Sequence, residues 1–346
     1  MRLKSGLAAA AMVVSLGACS ADGTAPDEQS TSTSAPTDSP SPSDEPTASA
    51  SPSDPPTASE PPSGGPTTDP PAEPVRFSSR RAMASVRHLS LRIGPREATS
   101  GAFARAADWV QAGFADLGYD VLRQRFRVPA GNSWGIDVPA GPTVNVVAEP
   151  AGFDATQPHI IIGAHLDTVP QAPGAEDNAS GIAVLLELAR MASLRELDVP
   201  VRFVAFGAEE PRGEGDDLHH FGSMHYVGLM TRAERRALVG MVSLDRVGTR
   251  GPYIPVWSGP GGAPDVRDQL DRSARVLGIE AREFDDNASS DHWSFTKAGL
   301  LSARLGSIPY TGYHDETDLP RMVDPTQLDR VARTMWHWLG RSARWV

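Results

Sequence analysis

His165, Asp177, Glu209, Glu210, Asp245 and His314 each stand at or just beyond the end of an apolar, strand-like run. Imidazoles and carboxylates are the donors that zinc and similar divalent ions take. Five such groups can hold two zinc ions, and the sixth, a spare carboxylate, can act on a water at the metals. That set of side chains points to a metal-dependent hydrolase.

No single motif among them is specific. His165-Leu166-Asp167 directly follows the run 160–164, and a carboxylate such as Asp167 can orient a ligating ring. Glu176-Asp177-Asn178-Ala179-Ser180-Gly181 opens a helical pattern, where Asp177 can bridge two cations or, with Ser180, simply cap the helix. Ala208-Glu209-Glu210 follows the run 201–206. Neighbouring strand-end residues point to different sides, so one carboxylate can bind metal while the other faces the water. Leu244-Asp245-Arg246 ends another run, where an ion pair with a nearby arginine is the plainer use. Tyr313-His314-Asp315 lies in a polar loop near the end of the chain. The weight lies in the ensemble, each member at the edge of a different buried element.

The elements that must position these groups alternate. Phe103, Ala106, Ala107, Val110, Phe114 and Leu117 recur at helical spacing, with Thr99 or Ser100 as cap. Strands are predicted at 121–128, 143–147, 160–162, 201–206, 241–244 and 300–305, and helices at 182–194, 263–277 and 327–344. The tryptophans of the last helix are read as core packing. Alternating strands and helices predict an α/β layered domain with a mainly parallel sheet, in which ligands gather beyond the carboxyl ends of the strands. The six residues fall there.

The ends of the chain read differently. Met1-Arg2-Leu3-Lys4 and the apolar run 7–14 have the form of an export signal, too short to span a membrane as a helix. Leu16-Gly17-Ala18-Cys19 resembles a bacterial lipobox, which makes 1–18 a lipoprotein signal and Cys19 the lipidated first residue of the mature chain. Two acyl chains would then anchor the protein to the outer face of the bacterial cell membrane. Cys19 is the only cysteine, so no intramolecular disulfide supports the fold. The stretch 19–74 is rich in Ser, Thr, Pro and Asp and lacks the apolar residues that offset ordering entropy, as expected of a disordered stalk. Ten acidic residues and no Lys or Arg within it supply most of the formal net charge of −11. The folded part, 75–346, is close to neutral, so the acidity says nothing about the substrate. No nucleic-acid partner is expected, and a monomer is favoured.

The ordered set of His165-Leu166-Asp167, Glu176-Asp177-Asn178-Ala179-Ser180-Gly181, Gly207-Ala208-Glu209-Glu210, Leu244-Asp245, Ser290-Asp291-His292 and Tyr313-His314-Asp315 resembles the M28 family of zinc peptidases, which includes secreted bacterial aminopeptidases. The resemblance runs from about Thr99 to the end of the chain. It implies a single three-layer α/β domain with a mainly parallel mixed sheet, and two Zn²⁺ ions, with Co²⁺ or Mn²⁺ as substitutes. His165 and Asp245 would be terminal ligands of one ion, Glu210 and His314 of the other, and Asp177 the bridge. Glu209 matches the general base, Asp167 a support for His165, and Tyr313 an oxyanion donor, whereas Asp291-His292 is read as structural. Peptides would be cut at their N-termini. Two departures from the family pattern stand out: the segment 211–221, longer and more polar than the usual turn, and Arg246 where an apolar residue is common. His219 and His220 in that segment are read as exposed loop residues. A glutaminyl-cyclase-like acyltransferase and a non-catalytic surface module on the same scaffold are the competing functions.

Overall fold

The computed structural model describes residues 75–344. The signal 1–18, Cys19 and the stalk 19–74 lie outside the described residues.

Among the described residues ten strands form, in chain order: β1 (Asp120–Val128), β2 (Gly131–Ser133), β3 (Ile136–Val138), β4 (Gly141–Glu149), β5 (His159–His165), β6 (Val201–Phe206), β7 (Leu238–Leu244), β8 (Ile254–Trp257), β9 (Ala281–Phe284) and β10 (Ser302–Leu305). Eight belong to one mixed sheet in the order β1-β4-β6-β5-β7-β10-β8-β9, and β2 and β3 make a separate hairpin. The inner strands β6, β5, β7 and β10 run parallel, while β1 and β4 on one side and β8 on the other are antiparallel to their inner neighbours. The expected mainly parallel sheet is therefore present, with antiparallel flanks.

Among the described residues eight α-helices cover it: α1 (Ser79–Arg87), α2 (Gly101–Ala115), α3 (Gly181–Leu194), α4 (Phe221–Leu229), α5 (Arg232–Ala237), α6 (Asp265–Val276), α7 (His292–Lys297) and α8 (Pro325–Leu339). β5 shows why three layers result. Ile160 and Ile162 pack with α1, α2, α3, α6 and α8 on one face, whereas Ile161 packs with Tyr226 of α4 and Phe295 of α7 on the other. A strand whose alternate side chains are all apolar must be covered on both sides.

Local chemistry sets the helix ends. Ser100 Oγ accepts from Phe103 N at 3.0 Å and starts α2. α8 begins two residues earlier than its apolar pattern suggests, because Asp324 accepts from Thr326 N and Pro325 occupies the first turn, and it stops at Leu339. Trp338 is wholly buried, as core packing requires. Gly181 is needed where α3 begins: a Cβ there would collide with the Leu244 carbonyl oxygen at the end of β7. This close approach brings the residues before α3 against those after β7.

Candidate metal centre

The carboxyl ends of β5, β6 and β7, the turn before α3 and the loop before α8 converge on one cleft. His165 is the last residue of β5, Glu209 and Glu210 follow β6, Asp245 follows β7, Asp177 precedes α3, and His314 enters from the late loop. All are buried. Asp177 lies at the middle, with Oδ1 3.1 Å from His165 Nε2 and Oδ2 3.2 Å from His314 Nε2. Asp245 Oδ1 stands 3.7 Å from His165 Nε2, and Glu210 Oε2 stands 3.2 Å from His314 Nε2. Three sets each bring one donor atom per residue within 4.8 Å of the others: His165 with Asp177 and Asp245, Asp177 with Glu210 and His314, and His165 with Glu209 and Glu210.

Neither Asp177 nor Ser180 caps α3. Gly181 N is capped by Asn178 Oδ1 at 3.0 Å, and the Ser180 hydroxyl donates to Glu176 O at 2.7 Å. Asp177 is freed to face the cleft, its own backbone N–H held by Asp318 Oδ2 at 3.0 Å. Glu176 turns away and accepts the backbone N–H groups of Gly248 and Thr249.

Asp167 works differently from a simple partner for His165. Its main-chain oxygen lies 3.2 Å from His165 Nδ1, while its carboxylate stays 3.9 Å away. That carboxylate accepts the backbone N–H groups of Glu209 and Glu210, each at 3.1 Å. Asp167 thus fixes one ring and two carboxylates at once. Ala208 takes a left-handed φ of 55°, which makes the turn that presents the two glutamates to different sides. Glu210 faces His314, and Glu209 faces His165 at 3.9 Å and His220 at 3.4 Å.

His220 corrects the sequence reading. It is 3 % exposed and touches the spare carboxylate, because the segment 211–221 folds back under the cleft. Arg212, also buried, holds that segment by bonding Pro129 O, Pro139 O and Glu97. The β2–β3 hairpin packs on it, with Asn132 N donating to Arg212 O at 3.1 Å, and Gly131 leaves no room there for a Cβ. The hairpin carries the exposed Trp134, whose ring meets His314 edge-on at 4.3 Å. Arg304 was likewise not anticipated: wholly buried in β10, it sets Nη2 2.9 Å from Asp245 Oδ2. The expected Arg246 contact is the weaker one, at 3.6 Å. Asp291 and His292 are buried and contribute to none of these donor sets.

The electrostatics are those of a site short of positive charge. Burial lowers the His165 pKa, but Glu209, Asp177 and Asp245 together hold it well above the ordinary value. His314 behaves likewise and is raised to about 10, with Glu210 and Asp177 outweighing burial. Burial pushes the Glu210 carboxyl up to about 7. Glu210 Oε1, Asp245 Oδ1 and His314 Nδ1 are buried without a hydrogen-bond partner. Asp177, Glu209 and Asp245 are held in the charged form and the two imidazoles are drawn towards theirs, so a cluster of carboxylates with unsatisfied oxygens is suited to cations. The cleft above them is a cavity of about 600 Å³ walled by Trp134, Tyr313, Arg246, His219 and His220.

The family model for Peptidase family M28 matches residues 145–339. Aminopeptidase YwaD of Bacillus subtilis is 35% identical over 149 residues, 42% of this chain and 31% of that protein. The matched part is thus about a third of that relative's length. Among solved structures, a zinc aminopeptidase from Bacillus subtilis superposes with a TM-score of 0.66 at 20% identity, over 76% of this chain and 95% of that one. Porphyromonas gingivalis glutaminyl cyclase does so with a TM-score of 0.65 at 24% identity, over 76% and 98%. Both likenesses describe the fold.

Proposed function

The chain belongs to peptidase family M28, and from that premise we propose that it is an exported aminopeptidase that holds two zinc ions and removes residues from the N-termini of peptides. The observation that carries this reading is Asp177, whose two oxygens face two different imidazoles at 3.1 and 3.2 Å. A carboxylate in that position would serve two cations. His165 and Asp245 would complete the ligands of one, and Glu210 and His314 those of the other. Co²⁺ or Mn²⁺ suits the same mixed donors. When bound, such ions polarise a scissile carbonyl and lower the pKa of water.

The remaining work falls to the chain itself. Glu209 belongs to neither of the two donor sets centred on Asp177, and its carboxylate faces the cavity. It accepts the proton of the attacking water and passes it to the leaving amine. His220, 3.4 Å from Glu209 Oε1, keeps that side chain from swinging out of line. Asp167 fixes the backbone from which both glutamates project. Tyr313 stacks on His314 at 3.7 Å and lines the cavity, where its phenol would donate to the developing oxyanion. The free α-ammonium of a peptide is drawn to the same carboxylates, which favours cleavage at the N-terminus. Trp134 offers an apolar wall for the departing side chain. Export and lipid attachment at Cys19 are supported by the lipobox-like Leu16-Gly17-Ala18-Cys19.

The same fold carries glutaminyl cyclase in Porphyromonas gingivalis, so the test separates products. Zinc-loaded protein is given Leu-p-nitroanilide and a peptide with N-terminal Gln. Release of chromophore and free amino acids supports the aminopeptidase. Release of ammonia with a pyroglutamyl product, and no peptide cleavage, overturns it.

A further inference from the structure

We propose that Arg246 is the anion-binding, specificity-determining residue of the cleft, and that the preferred substrates are short peptides with a carboxylate one residue beyond the scissile bond. The inference rests on the peptidase reading above and adds the substrate class.

Arg246 is held in place from several sides. Its backbone takes a left-handed φ of 55°, with its N–H donating to Asn178 Oδ1 at 3.2 Å and its carbonyl accepting from Ser307 N at 2.8 Å. The guanidinium lies 4.3 Å over the Tyr313 ring and donates from Nη2 to Ser307 Oγ at 2.7 Å. It lines the cavity. Such a fixed, stacked guanidinium is pre-organised and loses little freedom when it takes a ligand.

Its charge is only partly engaged within the protein. The nearest carboxylate is Asp245, whose Oδ1 is 3.6 Å from Nε, beyond a hydrogen bond. The other oxygen of Asp245 is already met by Arg304 at 2.9 Å. Nη1 of Arg246 has no hydrogen-bond acceptor among the described residues. Two guanidiniums therefore flank one carboxylate, and the deeper one makes the shorter contact.

The guanidinium keeps room for a ligand: Nη2 is taken by Ser307 Oγ, whereas Nη1 has no acceptor among the described residues and the group lines the cavity. The planar fork of a guanidinium matches a carboxylate.

Distance selects the peptide. Arg246 contacts Tyr313, which stacks on His314, and it lies against Asp245. An anion on its guanidinium thus sits beside the groups that surround the scissile bond. Because one residue spans only about 3.3–3.6 Å and the guanidinium stands beside Asp245, the anion we assign to it belongs to the residue that follows the scissile bond. The carboxylate can be the C-terminus of a dipeptide or the side chain of an acidic second residue.

The test compares Leu-Ala, Leu-Ala-amide and Leu-Glu-amide on the zinc-loaded full chain, native and Arg246→Met. In the native protein kcat/KM for Leu-Ala should exceed that for Leu-Ala-amide about 10-fold or more, mainly through KM, as a charge-assisted hydrogen-bonded contact allows. In Arg246→Met that ratio should fall to about one, and Arg246→Lys should restore part of it. A preference for Leu-Glu-amide alone assigns the subsite to an acidic side chain, and a preference for Leu-Ala alone assigns it to the dipeptide C-terminus. Equal use of all three by the native protein, or a ratio unchanged in Arg246→Met, overturns the inference while leaving the aminopeptidase reading intact. If no peptide is cleaved, that reading fails instead. Calorimetric binding of Leu-Ala against Leu-Ala-amide to the Glu209→Gln protein then decides the role of Arg246 without turnover.

Discussion

Arg304 Nη2 stands 2.9 Å from Asp245 Oδ2, both side chains wholly or almost wholly buried. The same guanidinium donates from Nη1 to Ser289 Oγ at 2.7 Å and to Asn287 Oδ1 at 3.1 Å, so β10 and the loop before α7 are tied to the end of β7. Burial opposes the charge on Asp245, but Arg304, with His165 and Arg246, holds its carboxyl well below the usual carboxylate range. Arg304 occupies one oxygen of Asp245 and leaves the other directed at His165.

Arg304→Met tests that support. Removing one partner leaves a buried carboxylate unpaired, with an expected loss of about 3–5 kcal/mol in urea unfolding of the metal-free protein. Arg304→Lys should recover only part, because an ammonium cannot reproduce the fork that reaches Asp245, Asn287 and Ser289 together. Stability unchanged in Arg304→Met would show that the pair carries no structural load.

Glu209 and Asp177 separate base from ligand. Glu209→Gln keeps the shape and the neighbouring donors, so bound zinc should stay at the native level while kcat drops about 10²–10⁴-fold. Zinc measured on the same samples should fall in Asp177→Ala, where the two donor sets centred on Asp177 each lose a member. Substantial turnover in Glu209→Gln would mean that the proton is taken elsewhere.

His292 predicts an acid weakness of the fold that is independent of catalysis. Burial, assisted by Arg304, lowers its pKa to about 3, and Nε2 is fixed on Asn287 O at 2.8 Å. Because the ordinary value is 6.5, the unfolded chain binds the extra proton between those limits. The contribution is complete above pH 6.5 and is lost as pH falls towards 3. By pH 5 the loss from this group is about 2 kcal/mol. Urea unfolding at pH 7 and pH 5 should show a smaller difference for His292→Gln than for the native chain. An equal difference would assign the acid weakness to other groups.

Much of this arrangement could be read from the chain. The apolar runs before His165, Glu209 and Asp245 are buried on both faces, so their ends are marked by the first polar residues, and those are the residues that meet in the cleft. Ser100, with a hydroxyl at the start of a periodic stretch, announces its own helix. Arg304 gave no such signal. In Ser302-Ala303-Arg304-Leu305 an arginine looks like the solvent side of an alternating strand, and it points inward only because β10 lies between β7 and β8. His220 was hidden for a similar reason: its burial depends on the path that Arg212 and the β2–β3 hairpin impose on 211–221. Trp134 reaches His314 through a hairpin too short to show a strand pattern. Contacts made by loops across the fold are set by tertiary packing, which local periodicity does not encode.

The most direct measurement is zinc stoichiometry against activity on one preparation of the chain. Protein stripped with chelator is titrated with zinc while bound metal and release of chromophore from Leu-p-nitroanilide are followed together. The account predicts no turnover in the stripped protein, saturation at about two ions per chain as two-metal hydrolases require, and activity regained with them. Full activity after complete removal of metal, or saturation at a single ion with Asp177→Ala equally active, would contradict it.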